Sequence, residues 1–201
     1  MSRKGKAKVL TLQEFKRVDA VIMSNKYSRR NRAILYLSFG LGLRSCEIRD
    51  LKIGDVLNYD GITLKETVNL TRTKGGKARE IYLTNKKLIT VMKDHIDELK
   101  KYLDKKRVPF NINRPLFISQ KGDSFFSNRI TILLCKFFKD AGIEGAKSHS
   151  GRRTFITTKI DEGCDIKSIS ELVGHSNISM TIQYHQSNPT RLKKIAERSI
   201  F

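Results

Sequence analysis

Leu172-Val-Gly-His175-Ser-Asn-Ile-Ser-Met-Thr-Ile-Gln-Tyr184 runs from an apolar helical stretch through a histidine and a polar turn at Ser176-Asn177 to a tyrosine. Upstream, His149-Ser-Gly-Arg152 sets a second histidine three residues before an arginine, so that on a helix both leave one face and can reach a single phosphate. Each piece alone has an ordinary reading. HxxR occurs as a surface ion pair or a cap, and a lone tyrosine is commonly a core or rim residue. A phenol with a pKa of ~10 attacks a phosphodiester only where cationic and hydrogen-bonding neighbours stabilise the developing charge. His175 and Tyr184 can face one cavity only if the chain between them folds back.

Charge supplies the context. The 201 residues carry 40 Lys plus Arg against 20 Asp plus Glu, a net charge of +20, which points to a polyanionic partner, nucleic acid or an anionic membrane surface. A membrane is disfavoured, because no run approaches ~18 apolar residues. The basic stretch Ser2-Arg-Lys-Gly-Lys-Ala-Lys8 also lacks the apolar segment that follows in a secretion signal. A cytoplasmic, nucleoid-associated protein is expected. Cys46, Cys135 and Cys164 form no CxxC pair and read as reduced core or near-core thiols, with neither disulfide framework nor zinc site.

The remaining sequence predicts a mainly α fold with one small antiparallel β-sheet. Thr11-Leu-Gln-Glu14 is a capping-box pattern, and Phe15, Val18, Val21 and Ile22 follow at helical spacing, predicting a helix over about 12–24. A second helix runs from Arg29 into an apolar stretch that ends near Gly40 and Gly42, and a short third occupies Leu43 to Leu51 with Arg44 at its start. Segments around 62–64, 67–73 and 78–83 alternate and are rich in β-branched residues, with Gly75-Gly76 as a hairpin turn between the last two. Leu88, Val91, Met92, Ile96, Leu99 and Leu103 stripe a long helix over about 85–105, whose basic end reads as a solvated face. Beyond a weak boundary at about 107–114, Leu116 to Ser119 is a short strand or buried coil and 127–141 a helix closed by Gly142. From His149 the pattern is helical, broken at Gly163 and near Gly174. His95 and His185 fit no ligand pattern and are expected at the surface.

Taken together, three boxes are recognisable. Leu41-Gly-Leu-Arg44-Ser-Cys-Glu47-Ile48, His149-Ser-Gly-Arg152-Arg-Thr-Phe155 and Leu172-Val-Gly-His175 to Tyr184 occur in the order and with the internal spacing of the tyrosine recombinase (phage integrase) family, which the chain resembles over about residues 10–195. The resemblance implies the fold of that family's catalytic domain and a site-specific DNA recombinase acting through a 3′-phosphotyrosyl intermediate. Tyr184 would be the nucleophile, and Arg44 and Arg152 would hold the non-bridging oxygens. His149 would take the tyrosine proton or bond the phosphate, and His175 would donate to a non-bridging oxygen. The general acid would be a hairpin lysine, Lys74, with Lys77 its rival. Glu47 would orient the cations, while Arg72, Lys77, Arg79 and Arg153 would contact DNA. No metal or other cofactor is implied, and the sequence shows neither a P-loop nor a carboxylate cluster.

Some features depart from the family pattern. Gly151 stands where leucine is usual, and Lys147-Ser148 where proline is frequent. Residues 1–9 read as a basic arm, 10–188 as the catalytic domain and 189–201 as a tail helix that docks on a neighbouring subunit or caps its own. No separate core-binding domain is expected, a layout like the short fimbrial phase-switch invertases. Double-stranded DNA with short inverted sites, a homotetramer on DNA and an accessory DNA-bending protein are the expected partners. Two alternatives stay open: a type IB topoisomerase-like relaxing enzyme and a non-catalytic DNA-binding regulator of the same fold.

Overall fold

The capping box at Thr11 forms as expected: the Glu14 amide donates to Thr11 Oγ1 (3.2 Å), and the Thr11 amide donates to the Glu14 carboxylate (3.0 Å). It opens α1 (Leu12–Met23) in a computed structural model that describes residues 5–71, 78–120, 122–126, 128–184 and 197. Helix α2 (Ser28–Gly40) is buried from Arg30 to Ser38 except for Arg32, and packs against α1, α5 and α7. A helix buried over most of its length, Arg30 and Asn31 of its polar first turn included, sits inside the fold, so α2 is its axis. The short helices α3 (Ser45–Asp50) and α4 (Ile53–Val56) follow, then β1 (Thr67–Leu70) and β2 (Arg79–Tyr82). After them come α5 (Lys86–Lys105), α6 (Arg129–Asp140), α7 (Ser150–Asp161), α8 (Ile166–Val173) and α9 (Ser179–Ile182).

Strands β1 and β2 pair antiparallel, with Val68 opposite Ile81 and Leu70 opposite Arg79. Val68, Leu70 and Ile81 turn inward. The expected strand at 62–64 is reduced to a single bridge between Leu57 and Leu64. The Asp60 carboxylate accepts from the amides of Ile62 and Thr63 and from the Thr63 hydroxyl, which turns the chain there and leaves Ile62 exposed. Leu116, Phe117 and Ile118 are buried coil joined by isolated bridges.

One hydrophobic cluster reaches from Leu10 to Ile143 and takes in residues on both sides of 107–114, so that loop divides no core. It is tied to α4 instead, the amides of Ile53 and Gly54 donating to the carbonyls of Arg114 and Ile112. A smaller cluster of Phe155, Ile156, Ile160, Ile169 and Val173 lies between α7 and α8, with Tyr184 packed against it. Fully burying an aliphatic or aromatic side chain contributes about 1.5–3 kcal/mol, so this second cluster suffices to fix the α7–α8 pair that carries the second and third boxes.

Two sequence expectations are corrected. His95 is buried, its ring stacked on Phe117 (4.9 Å between centroids) and its Nε2 donating to the Leu116 carbonyl (2.9 Å). It sits on the apolar stripe of α5, one turn from Val91 and one from Leu99, so helical spacing itself places it inward. Cys164 is exposed because it lies in the turn after α7, whereas Cys46 and Cys135 are half-buried. Among the described residues no helix is long and apolar enough to cross a membrane. Arg72, Lys74, Lys77 and the turn expected at Gly75-Gly76, as well as His185 and residues 189–201 apart from Glu197, lie outside the described residues.

Candidate active site

The C-terminal end of α8 is where the three boxes meet. The last carbonyls of a helix have no partner within it and carry the negative end of its dipole, so they attract donors and cations. Here the acceptors are three successive carbonyls. Leu172 accepts from Arg79 Nε (3.0 Å), Val173 from a terminal nitrogen of Arg152 (2.6 Å) and Gly174 from one of Arg44 (3.0 Å). The other terminal nitrogen of Arg152 reaches the Gly42 carbonyl (2.8 Å) in the turn before α3, which joins the second box to the first. Gly174 closes α8 in the left-handed conformation (φ 65°, ψ 54°), the turn that aims His175 back toward the arginines.

Glu47 neutralises part of this charge. Its side chain is fully buried and accepts from the Arg44 amide (2.8 Å), the Arg44 guanidinium (2.8 Å) and, through both oxygens, Arg79 (2.9 and 3.0 Å). Burial alone would push this carboxyl up, yet the charge of Arg79 and the hydrogen bond from the Arg44 amide, with the further bonds to both arginines, outweigh it and hold the group below the ordinary carboxylate value. Arg152 is pushed down to about 9, first by burial and then by the neighbouring Arg44, and remains charged at neutral pH. Both Arg44 and Arg152 keep further N–H groups of their guanidinium forks beyond these bonds.

His175 is half-buried, hydrogen-bonded through Nδ1 to Thr181 Oγ1 (2.7 Å) and stacked on Tyr184 (6.2 Å between centroids, 10° between planes). Burial lowers its pKa to about 4, and Arg152, Arg44 and Arg79 act in the same direction, so the ring is neutral at physiological pH. The fold-back that the spacing required is present: α9 returns the chain so that Thr181 meets His175 and Tyr184 follows. Thr181 escaped the sequence reading, although it lies three residues before Tyr184 and so one helical turn away.

Tyr184 also lines an open cavity of about 210 Å³ with Lys6, Ala7, His149, Arg153 and Gln183. The Arg153 guanidinium lies 6.0 Å from the Tyr184 ring centre and donates to the Ala7 carbonyl (2.7 Å), while the Leu10 amide donates to Thr154 Oγ1 (2.9 Å). The stretch just before α1 is therefore laid along α7, which composition alone did not reveal. His149 is the N-cap of α7 and faces this cavity, whereas Arg152 is directed inward to the carbonyls.

Of the expected site residues, Arg44, Glu47, Arg152 and His175 converge at the end of α8, and Tyr184, His149 and Arg153 share the adjoining cavity. Arg79 is drawn into the protein: its side chain is only 7% exposed, and Nε and both terminal nitrogens bond Leu172 and Glu47. Nothing in the sequence distinguished it from its basic neighbours; the register that puts it opposite Leu70 carries it inward.

Known proteins resemble this chain in sequence and fold. Tyrosine recombinase XerA of Thermococcus kodakarensis is 30% identical over 192 residues, covering 96% of this chain and 62% of that protein. The chain thus spans less than two thirds of that relative's length. The crystal structure of a XerA recombinase superposes with a TM-score of 0.75 at 24% identity, covering 98% of this chain and 67% of that one, which shows a common fold. XerH site-specific recombinase, solved in a pre-cleavage complex with its difH substrate, gives a TM-score of 0.67 at 25% identity, covering 96% of this chain and 54% of that one. Residues 8–191 match the phage integrase family, and the chain belongs to it.

Proposed function

We propose that this protein is a site-specific DNA recombinase that cuts and rejoins double-stranded DNA through a 3′-phosphotyrosyl bond on Tyr184. The observation that carries the reading is the convergence of Arg44, Arg152 and a neutral His175 beside the tyrosine that stacks on that histidine. Guanidinium forks match the paired oxygens of a phosphate, and the unassigned N–H groups of Arg44 and Arg152 are its donors. His175, with Nδ1 turned to Thr181, is left with Nε2 as the group for a non-bridging oxygen. Its neutrality means that it binds there as a polar group and adds no further charge.

In the cleavage step Tyr184 Oη forms a bond to the scissile phosphorus while the bond from phosphorus to the 5′ oxygen breaks. The phenol proton passes to His149 or to solvent, and the leaving oxygen takes a proton from a general acid. Lys74, with Lys77 as the competing choice, fills that role in this reading. The phosphotyrosyl bond retains the energy of the phosphodiester, so the 5′-hydroxyl of a partner strand reverses the step and releases Tyr184. The relatives named above are recombinases, and XerH was captured on its difH substrate, which supports a DNA partner; short inverted sites on that DNA are part of the proposal. A homotetramer on DNA and an accessory bending protein complete the proposal. Arg153 and Lys6, which line the Tyr184 cavity, are candidate cations for flanking phosphates.

The test uses duplexes selected from a randomised library for binding and then nicked near the expected cleavage position, so that the cleaved strand is trapped. Wild-type protein should form a denaturant-resistant adduct. Tyr184→Phe should bind the same DNA with unchanged affinity and form none. A wild-type protein that binds without adduct overturns the reading in favour of a non-catalytic regulator, and an adduct in Tyr184→Phe means another nucleophile.

A further inference from the structure

We propose that Arg79 is a positioning residue for cleavage, holding Glu47 and the end of α8 so that Arg44 and His175 are set for the phosphate while Arg79 itself never touches DNA. The inference rests on the reading of the site just given. Three arginines from three different elements bond three consecutive carbonyls, but they are not equivalent. Arg79 alone commits Nε and both terminal nitrogens to the protein, and two of those bonds form a bidentate pair with the fully buried Glu47. Turning outward to DNA would break all three and leave the buried Glu47 carboxylate to Arg44.

Arg44 is in a different position. It shares Glu47 with Arg79, so when Arg44 engages phosphate the carboxylate is still neutralised and still held. Without Arg79, Glu47 would have Arg44 as its only cationic partner among the described residues and would compete with the phosphate for it. The stem of Arg79 adds a second constraint. A Cβ at Gly174 would lie 2.6 Å from Arg79 Cδ, so the left-handed turn that delivers His175 rests directly on this side chain. Arg79 therefore acts through two residues: through Glu47 on Arg44, and through the turn at residues 172–174 on His175. A lysine cannot reproduce this, because one ammonium cannot bridge both carboxylate oxygens and the Leu172 carbonyl together.

The test is single-turnover cleavage of the nicked duplex at saturating DNA, with DNA affinity measured separately as a function of salt, for wild type, Arg79→Lys, Arg79→Met, Glu47→Gln and the double variant Arg79→Met with Glu47→Gln. Arg79→Lys and Arg79→Met should lose roughly 10- to 100-fold in cleavage rate, the order found when a partner that orients a functional group is removed, with affinity and salt slope unchanged. The double variant removes the carboxylate charge that competes for Arg44 together with the cation and should cleave faster than Arg79→Met alone, a non-additivity that general loss of fold would not give. If Arg79→Met does not fold, Arg79→Lys retains the charge and carries the rate measurement.

Weaker binding with a salt slope reduced by about one and an unchanged rate would make Arg79 a phosphate contact and overturn the proposal. An unchanged rate with unchanged binding would also overturn it. Adduct formation by wild type is the control: its absence defeats the reading of the site and this role with it, whereas adduct with unaffected Arg79 variants defeats this role alone.

Discussion

Two places in this molecule are built from the same parts. In the core, His95 stacks on Phe117, and Arg30 donates to the Ile118 carbonyl (2.9 Å) while packing over the rings of Tyr27 and Phe125. At the end of α8, His175 stacks on Tyr184 and Arg152 donates to the Val173 carbonyl. Burial is the leading cause that lowers both histidines to about 4, and the nearby arginine assists in each case. The difference lies in what remains available. Arg30 is enclosed by rings, Asn31 and a carbonyl, and the ring beside His95 has no hydroxyl. Arg152 has a second arginine beside it, and the ring beside His175 is a phenol opening on a cavity. A buried histidine with an aromatic and an arginine is thus a packing unit by default, and it becomes a candidate site only when a nucleophile and unspent donors face an opening.

The comparison breaks most sharply at the two arginines. Arg152→Ala should lower the cleavage rate by ~10²–10³ with a smaller change in affinity. Arg30→Ala should leave the rate per folded molecule unchanged and cost about 1–3 kcal/mol of stability from the unpaired groups it leaves behind, read by denaturant unfolding. Equal rate losses in the two variants would mean that the core unit is not a separate structural element.

The histidines separate by pH. A histidine titrates near ~6.5 when unfolded, and His95 near 4 when folded, so the unfolded chain binds more protons between those values. The contribution is fully present above pH ~6.5 and is lost as pH falls toward 4, to a total on the order of 3 kcal/mol. His95→Gln keeps an N–H for the Leu116 carbonyl and should flatten the stability profile across that window. His175→Gln should flatten it less, since His175 is half-buried, but should slow cleavage; an unflattened profile in His95→Gln would remove the core histidine from acid sensitivity.

The smallest expected effect tests the link between the two units, helix α2. It carries Arg30 near its start, and near its end Ser38 and Phe39 meet Gly151 of α7. A Cβ on Gly151 would collide with Ser38 Oγ and lie 2.9 Å from the Phe39 ring, so the leucine usual in the family does not fit here. Gly151→Ala should push α7, and Arg152 with it, away from α2, costing about 1–3 kcal/mol by overpacking. Cleavage should fall while His95 remains buried, as its titration would report. A neutral Gly151→Ala would mean that α7 is free to shift without cost to the site.

What the sequence by itself determined was the set of chemical parts and the local elements. The capping box of α1, the stripe of α5, the glycine ends of α2 and α8, and the three boxes with Arg44, Arg152, His175 and Tyr184 were all legible, because caps, helical periodicity and motif spacing are local properties of the chain. His95 was also legible from its place on the α5 stripe, and its chemical type misled. Only the tertiary structure decided which polar groups are spent and which are left over. Arg79 and Arg153 are both basic residues beside family motifs. One is consumed by Glu47 and Leu172, and the other lies by the Tyr184 cavity, bonded to Ala7. The partners of Arg79 lie 32 and 93 residues away along the chain. The availability of a hydrogen-bond donor depends on what the fold brings to it from far away, and spacing along one chain carries no record of that.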